Sequence, residues 1–319
     1  MGQPKVNSVA AETVSAFFSG QKILITGASG FIGPHLCRRL CGTGAEVHTV
    51  SRTLHTTAIS NLHCWQGDLA DIKTVRDLLD KVKPEVIFHL AGHAAGARSL
   101  ELVLPTFHSN LATTVNVLTV ATEIGCRRIV LPGSLEEPEQ TTAVPSSPYA
   151  ASKWASSAYG RMFHALYQAP VVIARVFITY GPGDKPTKLI PYVIRSLLQG
   201  EAPKLSGGQR QVDWVYVDDV VDGLLAAAHA PAVEGCTIDV GSGNLVTVRS
   251  IVDRLVCLID PRIEPLFGAI ADRPFEQVRV ADTAKSCSLM GWQPVTPLEE
   301  GLERTVDWYR RQLKTSSGI

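Results

Sequence analysis

The chain has 319 residues, 45% of them hydrophobic and 19% charged, with 30 basic against 30 acidic side chains and therefore no formal net charge. A chain of this size and apolar content can bury a core without covalent staples, and its neutral balance supplies no long-range field for gathering nucleic acid or an anionic membrane surface. Its seven cysteines, odd in number and without a CxxC pair, fit reduced thiols better than a disulfide framework or a zinc site. We therefore expect a reducing, cytoplasmic compartment and no bound metal. Residues 1–20 lack a basic start followed by an apolar run of signal-peptide length and read as an N-terminal tail; no apolar stretch reaches the roughly 18 residues of a membrane span.

The organising stretch is Lys22 to Gly33, KILITGASGFIG. An apolar strand runs into Gly27, Gly30 and Gly33 at intervals of three, and an apolar, helix-forming segment over residues 31–43 follows at once. Glycine allows a turn that a side chain would block, and the helix start beyond it offers free N–H groups and a positive dipole end to a phosphate. Glu46 to Val50 reads as a second buried strand, which completes a βαβ unit. In a dinucleotide fold the residue closing that strand meets the adenosine ribose, where an acid favours a free 2′-hydroxyl; here stand Ser51 and Arg52, which favour NADP(H), with NAD(H) as the alternative.

His63 to Gln66 reads as a third strand, followed by Asp68 and Leu69, where a carboxylate can accept from an adenine amino group; the competing reading is a helix N-cap by Asp68 or Asp71. Val86 to Ala91 is a continuous apolar run ending at Gly92, as expected of a parallel strand covered on both faces. Asn110 to Gly125 reads as an amphipathic helix, and Arg128 to Leu131 as a fifth strand ending at Pro132, Gly133 and Ser134. Strands alternating with helices at this spacing predict a doubly wound, Rossmann-like parallel α/β sheet whose ligands bind at the carboxyl ends of the strands. Residues 136–148, rich in Pro, Ser, Thr and Glu, read as a loop. A helix follows, capped by Ser146 or Ser147 with Pro148 in its first turn, and it sets Tyr149 and Lys153 four residues apart on one face. An ammonium one turn away favours a phenolate, so Tyr149 is expected to exchange a proton with an alcohol or ketone whose oxygen Ser134 also bonds.

Taken together, TGASGFIG, Asp68, HLAG at 89–92, Ser134 and YAASK at 149–153 give the chain a resemblance to the extended short-chain dehydrogenases/reductases, and within them to the nucleotide-sugar branch. The resemblance continues through ARVFITYGPGD at 174–184, WVYVDDVVDGLLAA at 214–227, IDVGSG at 238–243, RPFEQVRVADTAK at 273–285 and LMGWQPVTPLEEGLERTVDWYR at 289–310. It implies a catalytic Ser134, Tyr149 and Lys153, with Asn110 on the helix beside them. For the cofactor it implies Gly27, Ser29, Gly30, Phe31, Ile32 and Gly33 at the pyrophosphate, Ser51, Arg52, Asp68 and Leu69 at the adenosine, and Leu90, Ala91, Gly92, Val176, Tyr149 and Lys153 along the remainder. It further implies a nucleotide-sugar substrate and a homodimer. The dinucleotide domain is expected over 21–180, with 214–242 returning to it, and a smaller, discontinuous substrate lobe over 181–213 and 243–319.

His93, Glu136, Ile178, Arg210 and Arg273 are the candidate substrate contacts. Ile178 stands where the resembling enzymes often carry asparagine, and Val212 where they usually carry arginine; Arg210, two residues away on the same side of an extended strand, is the candidate replacement. Members of this branch reduce a keto sugar, invert a sugar carbon, or remove water across C4 to C6. Dehydration calls for a Thr-Asp-Glu or Thr-Ser-Glu run, and this chain reads Ser134-Leu135-Glu136. The resulting expectation is NADPH-dependent reduction of a nucleotide-linked 4-keto-6-deoxy sugar, then a 4-epimerase retaining its cofactor, with a 4,6-dehydratase third.

Overall fold

In the computed structural model, which describes residues 14–53, 59–140, 142–272 and 276–316, the apolar runs of the sequence become the strands of one central sheet. Its members are β1 (Lys22–Thr26), β2 (Glu46–Ser51), β3 (Leu62–Gln66), β4 (Val86–His89), β5 (Arg128–Ser134) and β6 (Val171–Val176). Short strands follow: β7 (Ile178–Tyr180), β8 (Lys204–Leu205), β9 (Gln211–Tyr216), β10 (Thr237–Val240), β11 (Leu245–Thr247) and β12 (Leu266–Phe267). The seven-stranded sheet runs β10-β6-β5-β4-β1-β2-β3, parallel throughout. Every residue of β4 and β5 is buried, because helices cover both faces and no alternation of polar and apolar side chains is then required.

On one face α1 (Ile32–Cys41) and α6 (Val217–His229) bury Leu36, Leu40, Val220 and Leu224. On the other, α2 (Ile72–Val82), α3 (Thr113–Glu123) and α4 (Pro148–Tyr167) bury Val75, Leu79, Val117 and Phe163. The chain leaves β1 toward β2 on one side and reaches β4 on the other, so a crevice opens above the carboxyl ends of β1 and β4. A third core, containing Tyr180, Ile194, Trp214, Val252 and Val306, gathers the small sheet β11-β9-β7 with α5 (Leu189–Leu198), α7 (Val248–Ile259) and α9 (Leu298–Ser316). Helix α8 (Thr283–Met290) packs beside β10.

Two expected boundaries move. Residues 214–216 belong to β9 in the small sheet, so the return to the large sheet begins with α6, at Val217. The helix expected from Asn110 starts earlier, through residues 103–106 and a wide π turn over Phe107–Ala112 that precedes α3. The reason lies in Asn110, 2% exposed, which turns inward: its Oδ1 accepts from His93 N at 2.6 Å and its Nδ2 donates to Ser152 Oγ at 2.8 Å. That places α3 firmly against the start of α4. Among the described residues no helix is long and apolar enough to cross a membrane, and no cluster of His, Cys, Asp and Glu could hold a metal ion. All seven cysteines are unbridged.

Candidate active site

The glycine turn assigns a separate task to each glycine. Gly27 sits at φ +71°, and a Cβ there would lie 2.6 Å from the Leu90 carbonyl carbon and the Ala91 nitrogen, so the first turn fits only because it lacks a side chain. A Cβ on Gly33 would lie 2.6 Å from Ala28 Cα and Gly27 O, which lets α1 press onto the turn. Gly30, in contrast, would meet only Gly27 O, at 3.2 Å, and its open side is available for close approach by a ligand. No side chain caps α1 at Phe31, so the first N–H groups of the helix, from Ile32 on, are left without a side-chain acceptor there. An uncapped helix start above a cradle that a Cβ would fill fits the pyrophosphate of a dinucleotide.

At the adenosine end Ser51 closes β2, its Oγ donating to Thr53 O, and the Arg52 side chain is exposed just beyond. Asp71 takes the N-cap of α2, accepting from Lys73 N at 3.2 Å and Thr74 N at 3.1 Å. Asp68 is thereby spared that task; its Oδ1 accepts from Ala70 N at 3.0 Å and its side chain stays exposed, next to buried Leu69. Leu90, Ala91 and Gly92 leave β4 at the crevice, where Thr26 Oγ1 accepts from Ala91 N at 3.0 Å and bonds His89 Nδ1 at 2.9 Å. Burial, followed by the Lys153 charge, pushes the His89 imidazole down to about 3, so it stays neutral at working pH. Val176 ends β6, paired in register with Ser134.

Strand β5 ends at Ser134, and α4 begins three residues after Pro145, with Ser147 Oγ accepting from Ala150 N at 3.1 Å. The two ends meet, and the Ser134 hydroxyl favours the ionised form of the Tyr149 phenol. Lys153 Nζ donates to Pro132 O at 2.7 Å, and Tyr149 is pushed above the usual phenol range by desolvation, against the Ser134 hydroxyl and reinforced by the Glu136 and Glu137 charges. Burial drives Lys153 itself down to about 8, opposed by the Glu137 carboxylate. The Tyr149 phenol is therefore protonated at neutral pH.

Of the proposed substrate contacts, His93 is partly buried, with its N–H on Asn110 and its Nδ1 without a hydrogen-bond partner among the described residues. Glu136 donates its N–H to Ser134 Oγ at 3.2 Å. Ile178 opens β7 and packs between the main core and the lobe core, where Val212 is 4% exposed. Arg210 does not stand as a spare charge: its Nη1 pairs with Glu276 at 2.9 Å and its Nη2 donates to Gln277 O at 3.3 Å, because residues 276–277 run alongside it. Arg273 lies outside the described residues.

Two groups were not foreseen. Glu137 is 3% exposed and its Oε1 accepts from Ser134 N at 2.6 Å and Ser157 Oγ at 3.0 Å. Arg279, with a side chain 7% exposed, donates through Nε to Glu139 at 2.9 Å and so ties the loop after β5 to the segment before α8. The sequence signal for Glu137 was Gly133, the residue whose missing side chain makes room for it.

Comparison with known proteins agrees with this geometry. The sequence is 30% identical to the UDP-glucose 4-epimerase of Mycolicibacterium smegmatis, over 91% of this chain and 99% of that protein. It is 28% identical to the dTDP-glucose 4,6-dehydratase of Haemophilus influenzae, over 90% of this chain and 97% of that one. Among solved structures, MoeE5 in complex with UDP-glucose and NAD superposes with a TM-score of 0.79 at 28% identity, covering 92% of this chain and 99% of its own. The sequence profile of the NAD dependent epimerase/dehydratase family matches residues 23–241. With the glycine cradle, the switch-point crevice and the serine–tyrosine contact all inside that span, the chain belongs to the NAD dependent epimerase/dehydratase family and is a nucleotide-sugar oxidoreductase/epimerase of the extended short-chain dehydrogenase/reductase type.

Proposed function

We propose that this enzyme reduces a nucleotide-linked 4-keto-6-deoxy sugar with NADPH, as a homodimer in the reducing cytoplasm. The observation that carries the reading is the meeting of Ser134, at the end of β5, with Tyr149, in the first turn of α4, whose phenol is protonated. A protonated phenol can donate to an oxygen that becomes negative, which is the demand a ketone makes when hydride reaches its carbon, provided that a nearby cation offsets the upward push of burial on its pKa. The bound nicotinamide supplies that hydride. Ser134 holds the sugar oxygen next to the Tyr149 hydroxyl, and the Lys153 ammonium steadies the negative charge that Tyr149 acquires on giving up its proton.

Arg52, exposed where β2 ends, supports a 2′-phosphate on the cofactor. Leu135, 3% exposed, offers no acid at the position a dehydration would use. A second reading, a 4-epimerase retaining its cofactor, draws support from the 30% identity with the mycobacterial 4-epimerase. Incubating the enzyme with a panel of nucleotide sugars and their 4-keto derivatives separates the two. Stoichiometric oxidation of NADPH on a keto sugar supports the reductase; interconversion of two sugars without net cofactor consumption overturns it in favour of the epimerase.

A further inference from the structure

We infer that Arg279 is a positioning residue for the sugar end of the site: from the segment before α8 it clasps Glu139 and so holds the loop that leaves Ser134 across the carboxyl ends of the strands. The inference rests on the reading of Ser134 and Tyr149 as the groups that meet the sugar oxygen. That loop, residues 135–147, is the connection between the two, and it turns first over β6, where Leu135 N donates to Val176 O at 3.2 Å. Glu136 N and Glu137 N then donate to Ser134 Oγ at 3.2 Å and to Ser134 O at 3.1 Å. The start of the loop is thus fastened to β5 itself, where the fold places its ligands. Two residues further on, Glu139 Oε1 accepts from Arg279 Nε at 2.9 Å, across 140 positions of sequence.

Arg279 can serve as an anchor because its own backbone is tied down on both sides. Ala281 N donates to Asp213 Oδ2 at 3.0 Å, and Asp282 N to Asp239 Oδ2 at 3.1 Å. Asp213, on β9, is fully buried and also accepts from Ser242 N at 2.6 Å and Gly243 N at 2.9 Å; Asp239, on β10, pairs with Arg175 of β6 at 3.1 Å. Upstream, Glu276 and Gln277 O are both bound by Arg210. Residues 276–282 are therefore fixed to the small sheet and to the large one, with Arg279 between the ties. Its guanidinium is withdrawn from water, and Nη1 finds no hydrogen-bond partner among the described residues. A buried cation is costly unless a carboxylate faces it, whereas the exposed Glu139 would be solvated without the pair. The arginine is the side that needs the contact, so the loop is drawn to the segment and not the reverse. Ser134 is held by β5 and Tyr149 by the Ser147 cap of α4, so losing the clasp shifts the loop between them more than its ends. The loss is then expected in sugar binding rather than in the proton step.

Arg279→Met keeps an apolar stem in the buried space and removes the donors, and Glu139→Ala removes the acceptor from an exposed position. Both are measured in the full-length enzyme, by amide hydrogen exchange read by mass spectrometry and by steady-state kinetics on the keto sugar that the panel above identifies. In each variant the peptide covering residues 138–147 is expected to exchange about threefold faster or more, and the KM for the sugar to rise about tenfold while kcat changes by less than about threefold and the KM for NADPH holds. The double variant goes no further than the single ones, as the two ends of one contact require. Wild-type exchange in the loop of Glu139→Ala overturns the inference, and so does faster exchange with an unmoved sugar KM; if Arg279→Met does not fold, Glu139→Ala decides alone. A panel in which two sugars interconvert without consuming NADPH removes the reductase reading, and the KM of that interconversion then tests the clasp in the same way.

Discussion

At the scale of single residues the site depends on where protons and charges rest. Tyr149 is half-buried and carries its proton, so Tyr149→Phe removes the proposed donor while leaving the ring that fills the space. We expect kcat to fall by about 10²- to 10⁴-fold with NADPH affinity retained, measured by steady-state turnover and by cofactor fluorescence titration. Arg52 acts at the opposite end of the crevice and touches no reacting atom. Arg52→Asp should therefore leave chemistry alone and change cofactor choice, raising the NADH to NADPH ratio of kcat/KM by at least tenfold. A ratio that does not move removes the 2′-phosphate role. Lys153, four positions from Tyr149 on α4, also donates to the Pro132 carbonyl, which fixes its ammonium at the end of β5.

Elements deliver these residues, and their ends matter more than their middles. Helix α4 starts where it does because Ser147 caps it, so Ser147→Ala should cost about 1 kcal/mol of stability, read as a lower denaturation midpoint in urea. Gly27→Ala is expected to be more severe. It forces a side chain into left-handed backbone and against the β4 exit, and cofactor affinity should drop sharply in the same titration. The sheet itself was legible, because strands buried on both faces leave continuous apolar runs such as VIFHLA that nothing else in a chain of this composition explains. The positions of Ser134, Tyr149 and the three glycines at element ends were legible for a similar reason, since each adjoins a periodic segment. Glu137 was not: in a run of Glu, Pro, Ser and Thr it reads as solvated loop, and its burial depends on Ser157, 20 positions away. The π turn at Phe107–Ala112 was equally hidden, because an inward asparagine sets it rather than any change of apolar period.

At the scale of the whole molecule, the segment before α3 bears an apolar face. Leu100 is 85% exposed, Leu104 66% and Phe107 45%, next to the stretch that packs on α4. Leu166, on α4 itself, is also 66% exposed. Such a surface suits the two-fold pairing proposed for the homodimer. The double variant Leu104→Glu/Phe107→Glu is expected to run as a monomer in sedimentation velocity, with the wild type as a dimer; a wild-type monomer would remove the dimer from the proposal.

The open backbone at Gly133 has a consequence for how this sequence can change over time. A side chain at position 133 would meet the Glu137 carboxylate at 2.7 Å and displace it from its present place, so a change at one position is expected to alter what the other can hold. Relatives that carry a larger residue in place of Gly133 should lack an acid at the counterpart of Glu137, and those that keep the acid should keep the glycine. Such lineages would lose the carboxylate that receives Ser134 N and would have to hold the end of β5 by other means.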